Sequence, residues 1–427
     1  MKNFIVLDIN HGGDILSSIL KDRGYNVIAY DIYQTRNDKR ELLLQKNIKT
    51  ITTLDKDYKD YIVVYPIHCP EYFLSFFPDS KKITHHELVK FLFYKNVNKN
   101  KIIEITGSKG KTTTSYVLSY LLSFNETVYL NSSRGFERLI KGRSEIIKSE
   151  NSITPANTAK ILSQMEDGLY VFEESLGVSG IGDVSILTSM DPIYQIKNGA
   201  SNSFEAKKQI FSLSEGKIIV DGSDKKLRNI VDNSEKEIFQ IWKDVSIEIP
   251  DKLEIGKNIE STLMWKEKES KVQFRGDYLI TGYINSILFG ALTLKILNIN
   301  QDKISKYFSV FKGVENRQTV FQEKDYTKII DKSGGFSEDS LRYLLSNLMN
   351  YYDMPYKSIN LLIDLSNNSH CQKIKLEDID KVIGEFNNFI DNAFVKGTHN
   401  FERFKYLRDS EELNIKKGDL LIESGKG

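Results

Sequence analysis

Short apolar runs alternate with segments of helical spacing at the start of the chain. The run FIVLD at residues 4–8 is rich in β-branched residues, which is typical of a buried strand. Two glycines follow, and then DILSSILKDRG, in which apolar residues recur at the spacing of one helix face until Gly24. NVIAYD at residues 26–31 predicts a second buried strand. The order of strand, glycine turn, helix and strand predicts a βαβ unit.

The same alternation continues and divides the chain into three predicted α/β domains. A strand at YIVVYP belongs to the first domain, residues 1–96, and the polar segment NVNKNK is a predicted linker. The strand KIIEIT and an amphipathic helix open the second domain, residues 97–310. The third, residues 311–427, contains the strand SINLLID, a helix near residues 376–392 and the closing strand DLLIES. At roughly 150 residues per domain, a length of 427 residues predicts two to four domains, which includes three.

One part of the second domain has a different pattern. Residues 217–275 contain short alternating segments such as VSIEI, STLMW and KVQFRG, which predict an antiparallel flap or subsheet. We therefore expect a β-rich insertion within an otherwise α/β domain.

Composition excludes several classes of protein. Lys and Arg total 59 and Asp and Glu total 58, whereas a dedicated nucleic-acid binder normally concentrates basic charge. Cys69 and Cys371 are the two cysteines, too few for a disulfide framework or a cysteine-based metal site. No stretch approaches the ~18 apolar residues of a membrane helix, and the N-terminus is predicted to be a strand, not a signal peptide. These features predict a cytoplasmic protein with no membrane or nucleic-acid partner.

A glycine-rich loop, ITGSKGKTTTS at residues 105–115, carries the strongest chemical signal. It lies between a predicted strand and a predicted helix, where backbone N–H groups and the helix N-terminus attract a phosphate. We expect Lys111 to reach the β- and γ-phosphates of a nucleotide and Thr112 to bind Mg²⁺. The remaining predicted cofactor contacts are Gly107, Ser108, Lys109, Gly110 and Thr113. Only two residues separate Gly107 from Gly110, against four in the common phosphate-binding loop.

The shorter loop resembles the Thr-Gly-x-x-Gly-Lys-Thr loop of the Mur ligases, which use ATP to activate a carboxylate as an acyl phosphate. VFEES resembles the family segment whose glutamate holds a catalytic Mg²⁺, which implies that Glu173 is a metal ligand. NSFEAKKQIF resembles the segment of a lysine that is often carbamylated, which implies the same for Lys207. The resemblance thus implies Lys111, Glu173 and Lys207 as catalytic residues. By themselves, Glu173-Glu174 would be an ordinary solvated strand end and Lys207-Lys208 an ordinary helix surface.

Further motifs follow in the family's order and extend the resemblance over essentially the whole chain. GYINSILFGALTL resembles the helix with an adenine-contacting asparagine, which maps to Asn285. FKGVENRQTV resembles the start of the C-terminal domain and gives Arg317, and IIDKSGG gives Asp331 as a nucleotide contact. The resemblance implies an N-terminal Rossmann-like domain, a central P-loop ATPase domain and a C-terminal Rossmann-like domain, with ATP and Mg²⁺ as cofactors.

The chain departs from the amino-acid-adding members of the family at two places. Their histidine after the Thr-Asn-x strand is missing from LTSMDPIYQIKNG, where Tyr194 falls near its position. Their amino-acid-recognition run in the third domain is replaced by DKSGGFSEDS. Both departures argue against a cell-wall peptide ligase.

The N-terminal LDINHGG, followed by a divergent Mur-like core, resembles the Mur-like ligases of nickel-tetrapyrrole biosynthesis. There, a propionate side chain is phosphorylated so that an internal carbon can attack it and close a ring. This implies a large carboxylate substrate, a nickel tetrapyrrole, bound in part by His11, Gly12 and Gly13. His11 could equally be a hydrogen-bonded residue of a tight turn. The other histidines show no metal-ligand spacing, so nickel would arrive inside the substrate.

Two other functions remain open from the sequence. The chain could be a Mur-like amide ligase that adds an amino acid or amine, as archaeal peptide ligases do. It could also be a nucleotide-gated binding protein that changes conformation without catalysis. Three candidate metal ligands argue against the second alternative, because a switch does not need a carbamate-like ligand.

Overall fold

The computed structural model describes residues 2–54, 58–94, 101–149, 151–332, 336–351, 355–365, 375–396, 405–407 and 413–425. The chain forms two compact units, residues 1–244 with 289–297 and residues 245–288 with 298–427. Within the described ranges, no helix combines the length and the apolar character needed to cross a membrane. The segment 96–100 of the predicted linker lies outside the described residues, as do His370, Cys371 and His399.

The first unit begins with a five-stranded parallel sheet. The apolar residues of FIVL are fully buried in its central strand, as the sequence predicts. The strand order is β3-β2-β1-β4-β5. Successive strands are therefore added on one side of β1 up to β3 and on its other side from β4 onward. The elements are β1 Asn3–Leu7, α1 Gly13–Asp22, β2 Asn26–Tyr30, α2 Asn37–Gln45, β3 Lys49–Ile51, β4 Tyr61–Tyr65, α3 Glu71–Ser75, β5 Lys82–Thr84 and α4 His85–Phe93, with a short 3-10 helix at Ile9–His11.

A second sheet of the first unit carries the glycine loop. Its strands follow the order β15-β14-β11-β6-β10-β7-β8-β9, and they are parallel except for the β7-β8-β9 meander. The elements are β6 Ile102–Thr106, α5 Lys111–Leu122, β7 Val128–Ser132, β8 Gly135–Ile140, β9 Arg143–Lys148, α6 Pro155–Leu162, β10 Leu169–Glu173, β11 Val184–Leu187, β12 Gln195–Ile196, β13 Ser201–Asn202, α7 Ser203–Lys208, α8 Ile210–Leu213, β14 Lys217–Asp221, α9 Arg228–Asp232 and β15 Ile238–Ile241; β12 and β13 form a separate hairpin.

The second unit contains an antiparallel segment and a further sheet. Strands β16 Val245–Glu248, β17 Ile259–Trp265 and β18 Glu269–Phe274 are antiparallel neighbours. The sheet has the order β19-β20-β24-β21-β22-β23 and is parallel apart from β19. The remaining elements are α10 Ile284–Ile296, whose residues 289–296 belong to the first unit, and α11 Gln301–Val310, β19 Thr319–Gln322, β20 Thr327–Lys332, α12 Glu338–Leu348, β21 Ile359–Asp364, α13 Leu376–Glu385, β22 Asn392–Lys396, β23 Lys405–Leu407 and β24 Leu420–Gly425.

Two details of the sequence prediction are wrong. The antiparallel region begins at residue 245 and not at 217, because Lys217–Asp221 and Ile238–Ile241 are parallel strands. The buried run Ile-Ile-Val of β14 is typical of a parallel strand covered on both faces. The predicted helix near residues 376–392 ends at Glu385, and residue 392 begins a strand.

Candidate active site

The glycine loop joins β6 to α5, the strand-to-helix position that the sequence predicts for phosphate binding. Gly107 has φ +147° and Gly110 has φ +82°, which are backbone conformations that favour glycine. A Cβ atom on Gly107 would also lie 2.1 Å from Oγ1 of Thr188. Gly107 is therefore required both by its conformation and by the close approach of Thr188.

The segment after β11 holds the loop in place. The Thr188 hydroxyl donates to the backbone oxygens of Thr106 (3.1 Å) and Lys109 (2.6 Å). The N–H of Ser108 donates to the oxygen of Ser189 at 2.8 Å, and the Ser108 hydroxyl lies 2.9 Å from the oxygen of Met190. Sequence analysis missed Thr188, because it is close to the loop only in the folded sheet.

The predicted phosphate-binding residues surround the N-terminus of α5. Lys109 and Gly110 are exposed, whereas Lys111, Thr112 and Thr113 are half-buried at the first turn. The Lys111 ammonium donates to the Gly107 carbonyl oxygen at 2.9 Å. This bond folds the lysine side chain back over the loop, where an incoming phosphate would meet it.

Two of the three predicted metal ligands are in direct contact. The Thr112 hydroxyl donates to Oε1 of Glu173 at 3.1 Å, and the backbone N–H of Ser133 donates to Oε2 at 3.1 Å. Neighbouring oxygens around an octahedral Mg²⁺ are about 2.9 Å apart, given Mg–O distances of about 2.0–2.1 Å. The Thr112 and Glu173 oxygens therefore have the chemistry and the spacing of two adjacent Mg²⁺ ligands.

The third predicted ligand, Lys207, is a fully buried lysine. Its Nζ atom makes no hydrogen bond with any described residue and lies 4.8 Å from the centroid of the Tyr194 ring. Burial, together with the positive charge of Lys111, lowers the pKa of Lys207 to about 8. About a tenth of the side chain is therefore a neutral, nucleophilic amine at pH 7, far more than for a lysine with the ordinary pKa of 10.5.

Glu174, next to Glu173, points into the protein and forms a buried pair with Glu104. Glu104 accepts the backbone N–H groups of Ser179 (2.8 Å), Gly180 (3.0 Å) and Gly182 (2.8 Å), while Glu174 accepts the hydroxyl groups of Thr158 (3.0 Å) and Ser179 (2.9 Å). Burial raises the pKa of Glu104 to about 7. Burial and the Glu104 charge raise the pKa of Glu174 well above its usual value. Three backbone N–H groups stabilise the ionised carboxylate of Glu104, so the proton of this pair belongs on Glu174.

The predicted substrate residues of the N-terminal domain, His11, Gly12 and Gly13, follow the carboxyl end of β1, and His68 follows the carboxyl end of the neighbouring strand β4. Nδ1 of His11 is 2.7 Å from Oδ2 of the buried Asp8, and Nε2 of His68 is 3.8 Å from the same oxygen. A Cβ atom on Gly12 would meet that of Ala156 at 2.4 Å, and one on Gly13 would meet the oxygen of Asp8 at 2.6 Å. Close packing thus explains why both positions are glycine. The structure also places His68 beside His11, a proximity that sequence spacing could not reveal.

The remaining predicted nucleotide contacts lie in the second unit. A guanidinium nitrogen of Arg317 donates to the backbone oxygen of Lys332 at 3.0 Å. Burial raises the pKa of Asp331 to about 6, although the positive charge of Arg317 lowers it. The Tyr283 hydroxyl donates to the oxygen of Arg317 at 2.6 Å and accepts the N–H of Val314 at 2.9 Å. Tyr283, missed by sequence analysis, fixes the Arg317 turn.

Asn285 lies in the first turn of α10, shortly after Gly282. A Cβ atom on Gly282 would lie 2.0 Å from Oε1 of Gln318, so this turn requires a glycine. The sequence Gly-Tyr-Ile-Asn therefore combines a packing glycine, a positioning tyrosine and the candidate adenine contact within four residues.

Comparison with known proteins gives two partial sequence matches. No protein-family model matches the chain. A coenzyme F(430) synthetase of Methanosarcina acetivorans is 31% identical over 228 residues, which cover 49% of this chain and 47% of the relative. A coenzyme F(430) synthetase of Methanocaldococcus jannaschii is 28% identical over 215 residues, 48% of each chain. The chain thus matches about half the length of these relatives.

The fold is shared with the Mur ligases over nearly the whole chain. The crystal structure of the MurF ligase from Thermotoga maritima in complex with ADP superposes with a TM-score of 0.62 and covers 94% of this chain and 91% of MurF, at 13% identity. This likeness, and the α/β sheets described above, confirm the predicted Mur ligase-like architecture. The chain therefore has the Mur ligase fold, and in sequence it resembles coenzyme F(430) synthetases.

Proposed function

We propose that the protein is an ATP-dependent ligase that activates a carboxylate as an acyl phosphate. The observation that carries this proposal is the contact between Thr112 and Glu173 beside the glycine loop, with the buried Lys207 amine near Lys111. A phosphate-binding loop by itself fits many nucleotide-binding proteins. A carboxylate that can bind Mg²⁺ and a buried amine beside the same loop fit phosphoryl transfer. In this reaction the negative charge on the transferred phosphoryl group must be neutralised.

Mg²⁺ fits the residues present, since Thr112 and Glu173 offer two hard oxygen ligands at the appropriate spacing. When bound with ATP, the ion neutralises charge on the β- and γ-phosphates. Lys111 and the backbone N–H groups of the loop hold the same phosphates. Asn285, Arg317 and Asp331 are the proposed contacts to the remainder of the nucleotide.

Lys207 is proposed to act as a carbamate. Its neutral amine adds to CO₂ with release of one proton, which replaces a buried positive charge by an anionic oxygen ligand. The lowered pKa favours this reaction, because only the unprotonated amine is a nucleophile. Carbamylation would also remove the cost of an ammonium group that has no hydrogen-bond partner among the described residues.

The proposed substrate is a nickel tetrapyrrole, seco-F(430), which carries a propionate side chain. A carboxylate oxygen attacks the γ-phosphorus of ATP, and the bond to ADP breaks. A carbon of the same substrate then attacks the acyl carbon, loses a proton, and displaces phosphate that keeps one former carboxylate oxygen. Proximity replaces a second binding site, because both reacting groups belong to one molecule. The partial match to coenzyme F(430) synthetases and the missing amino-acid signature support this choice.

Three further assignments accompany the proposal. We assign residues 1–96 to a substrate domain, 97–310 to an ATP-binding domain and 311–427 to a C-terminal domain. We place the enzyme in the cytoplasm, which agrees with the small number of cysteines. The alternatives are an amide ligase and a nucleotide-gated binding protein, and product analysis separates all three.

The test is incubation of the purified protein with seco-F(430), ATP and Mg²⁺, without any amine. The proposal expects one ADP per product molecule and a product lighter than the substrate by one water. A heavier product formed only when an amine is supplied would identify the amide ligase. Nucleotide binding without ADP formation across carboxylate substrates would identify the binding protein.

The Lys111→Ala variant should reduce the rate by orders of magnitude, because Lys111 contacts phosphates whose charge develops during transfer.

A further inference from the structure

His11 occupies the position where open α/β sheets bind ligands. The strand order of the N-terminal sheet changes direction between β1 and β4, which are parallel neighbours. Ligands of such sheets bind beyond the carboxyl ends of the strands at this switch point. His11 follows the end of β1, and His68 follows the end of β4.

The His11 imidazole is oriented as a metal ligand would be. Its Nδ1 atom is 2.7 Å from the carboxylate of Asp8, which is fully buried. Asp8 is itself fixed, since its Oδ1 accepts the N–H groups of Asn10 (3.1 Å) and His11 (3.2 Å). Metal-ligating histidines almost always bind a carboxylate or carbonyl in this way through the second ring nitrogen. The Nε2 atom makes no hydrogen bond with a described residue, and 51% of the side chain is exposed.

His68 restricts the His11 ring further. The two rings meet edge to face with centroids 4.9 Å apart, and His68 Nε2 is a buried atom without a hydrogen-bond partner among the described residues. The His11 ring is therefore held on one side by Asp8 and on another by His68. These two contacts leave Nε2 as the ring nitrogen of His11 that is available to a ligand.

A row of aromatic side chains starts beside His11. The centroid of Tyr33 is 6.2 Å from that of His11, and Phe73, Tyr72 and Phe76 continue the row at steps of 6.0, 5.5 and 4.8 Å. Tyr33, Tyr72 and Phe76 are exposed, Tyr72 by 67%. Successive rings of the row meet edge to face, at interplanar angles of 67–83°, so the row offers both ring faces and ring edges to a large flat π-system. A small hydrated ion would not need such a surface.

We propose that His11 is the axial ligand to the metal of the tetrapyrrole substrate, and that the aromatic row of Tyr33, Phe73, Tyr72 and Phe76 packs against the macrocycle through ring faces and edges. This assignment rests on the proposed function, which supplies a planar ligand with a divalent metal at its centre. Nickel accepts imidazole nitrogen as a ligand. Asp8 and His68 act as positioning residues, because they hold the His11 ring without needing to touch the substrate.

The substrate site so defined and the proposed ATP site both contact helix α6 of the first unit. Gly12, next to His11, packs against Ala156 of α6, and Thr158 of the same helix donates to Glu174 beside the proposed metal ligand Glu173. Helix α6 therefore connects the residues around His11 with those around Glu173.

The test uses nickel(II) coenzyme F(430), the product, as the probe. Nickel K-edge X-ray absorption should show an imidazole at the metal when the probe is bound to the wild-type protein. His11→Ala should lose this signal and bind the probe at least tenfold more weakly, and added imidazole should restore both. Asp8→Asn and Tyr72→Ala should weaken binding. Phe91→Ala, an exposed aromatic outside the row, is the matched control and should bind normally.

Each other outcome contradicts a specific assignment in this proposal. Two outcomes would refute the role of His11 and leave the proposed function intact. In the first, the probe binds without an imidazole at nickel. In the second, the imidazole signal persists in His11→Ala and is lost in His68→Ala. Stoichiometric binding of free Ni²⁺ that is lost in all three of Asp8→Asn, His11→Ala and His68→Ala would show a resident metal centre instead. If the wild-type protein neither binds the probe nor forms ADP with the seco-tetrapyrrole, the proposed function itself fails.

Discussion

Lys207 combines complete burial, no hydrogen-bond partner among the described residues and a position near a second lysine. An isolated buried ammonium group is costly unless it is paired or loses its charge. A lysine kept in this environment is better explained by chemistry at the amine than by stability. A carbamate that meets the bound metal would satisfy the side chain once substrates are present.

We expect Lys207→Ala to abolish ADP formation, and short carboxylic acids to restore part of it by occupying the vacant ligand position. The neighbouring Lys208→Ala is the control, because that side chain is 47% exposed and should be replaceable with little loss. Steady-state ADP release measures both variants. High activity of Lys207→Ala without any added acid would show that the lysine is not a ligand.

At the level of single residues, the sequence predicts the site where the chemistry is local. Lys111 and Thr112 follow the glycine loop directly, so their positions could be read from the order strand, loop, helix. Thr188, His68 and Tyr283 reach their sites from distant segments, and a single sequence contains no signal for that proximity. Glu173 and Lys207 were identified only through resemblance, since each would be unremarkable in its own segment.

Among the elements, strands β6 and β10 place the Glu104–Glu174 pair in the interior. The pKa of Glu174 is raised well above its usual value of 4.5 by burial and the Glu104 charge, so the folded state keeps a proton that the unfolded chain releases. The stability that this proton gives is complete below pH 4.5 and is lost as the pH rises through the folded pKa. Within that window the free energy of unfolding should fall by about 1.4 kcal/mol per pH unit.

Glu174→Gln tests this account, because the amide resembles the protonated acid and does not titrate. Its free energy of unfolding should exceed that of the wild type increasingly as the pH rises, whereas near pH 4.5 the two should be similar. Urea denaturation across the pH range measures the difference. Parallel pH profiles for the two proteins would mean that Glu174 is ionised in the folded state.

The type of element was predictable wherever the hydrophobic period was clear. The βαβ start and the strand, loop and helix around the glycine loop follow the predicted order. Strands β14 and β15 are short, like the antiparallel strands that follow them, but they pair in parallel. Pairing direction depends on the neighbouring strand, which the period of a single segment does not specify.

At the scale of the whole molecule, the proposed ATP contacts are divided between the two units. Lys111 and Thr112 belong to the first unit, while Asn285, Arg317 and Asp331 belong to the second. Lys111→Ala and Arg317→Ala should therefore each weaken the binding of a non-hydrolysable ATP analogue in the presence of Mg²⁺, as measured by calorimetry. Normal affinity in either variant would contradict the assignment of that residue to the nucleotide.

The central claim is that a substrate carboxylate becomes an acyl phosphate, and an oxygen isotope tests it most directly. In that mechanism one carboxylate oxygen leaves with the phosphate, whichever nucleophile attacks next. With ¹⁸O in the propionate of the seco-tetrapyrrole, mass spectrometry should find one ¹⁸O atom in each phosphate released during turnover. Phosphate without the label, or labelled only when the reaction is run in H₂¹⁸O, would show that ATP is hydrolysed without activating the carboxylate, and the account would be wrong.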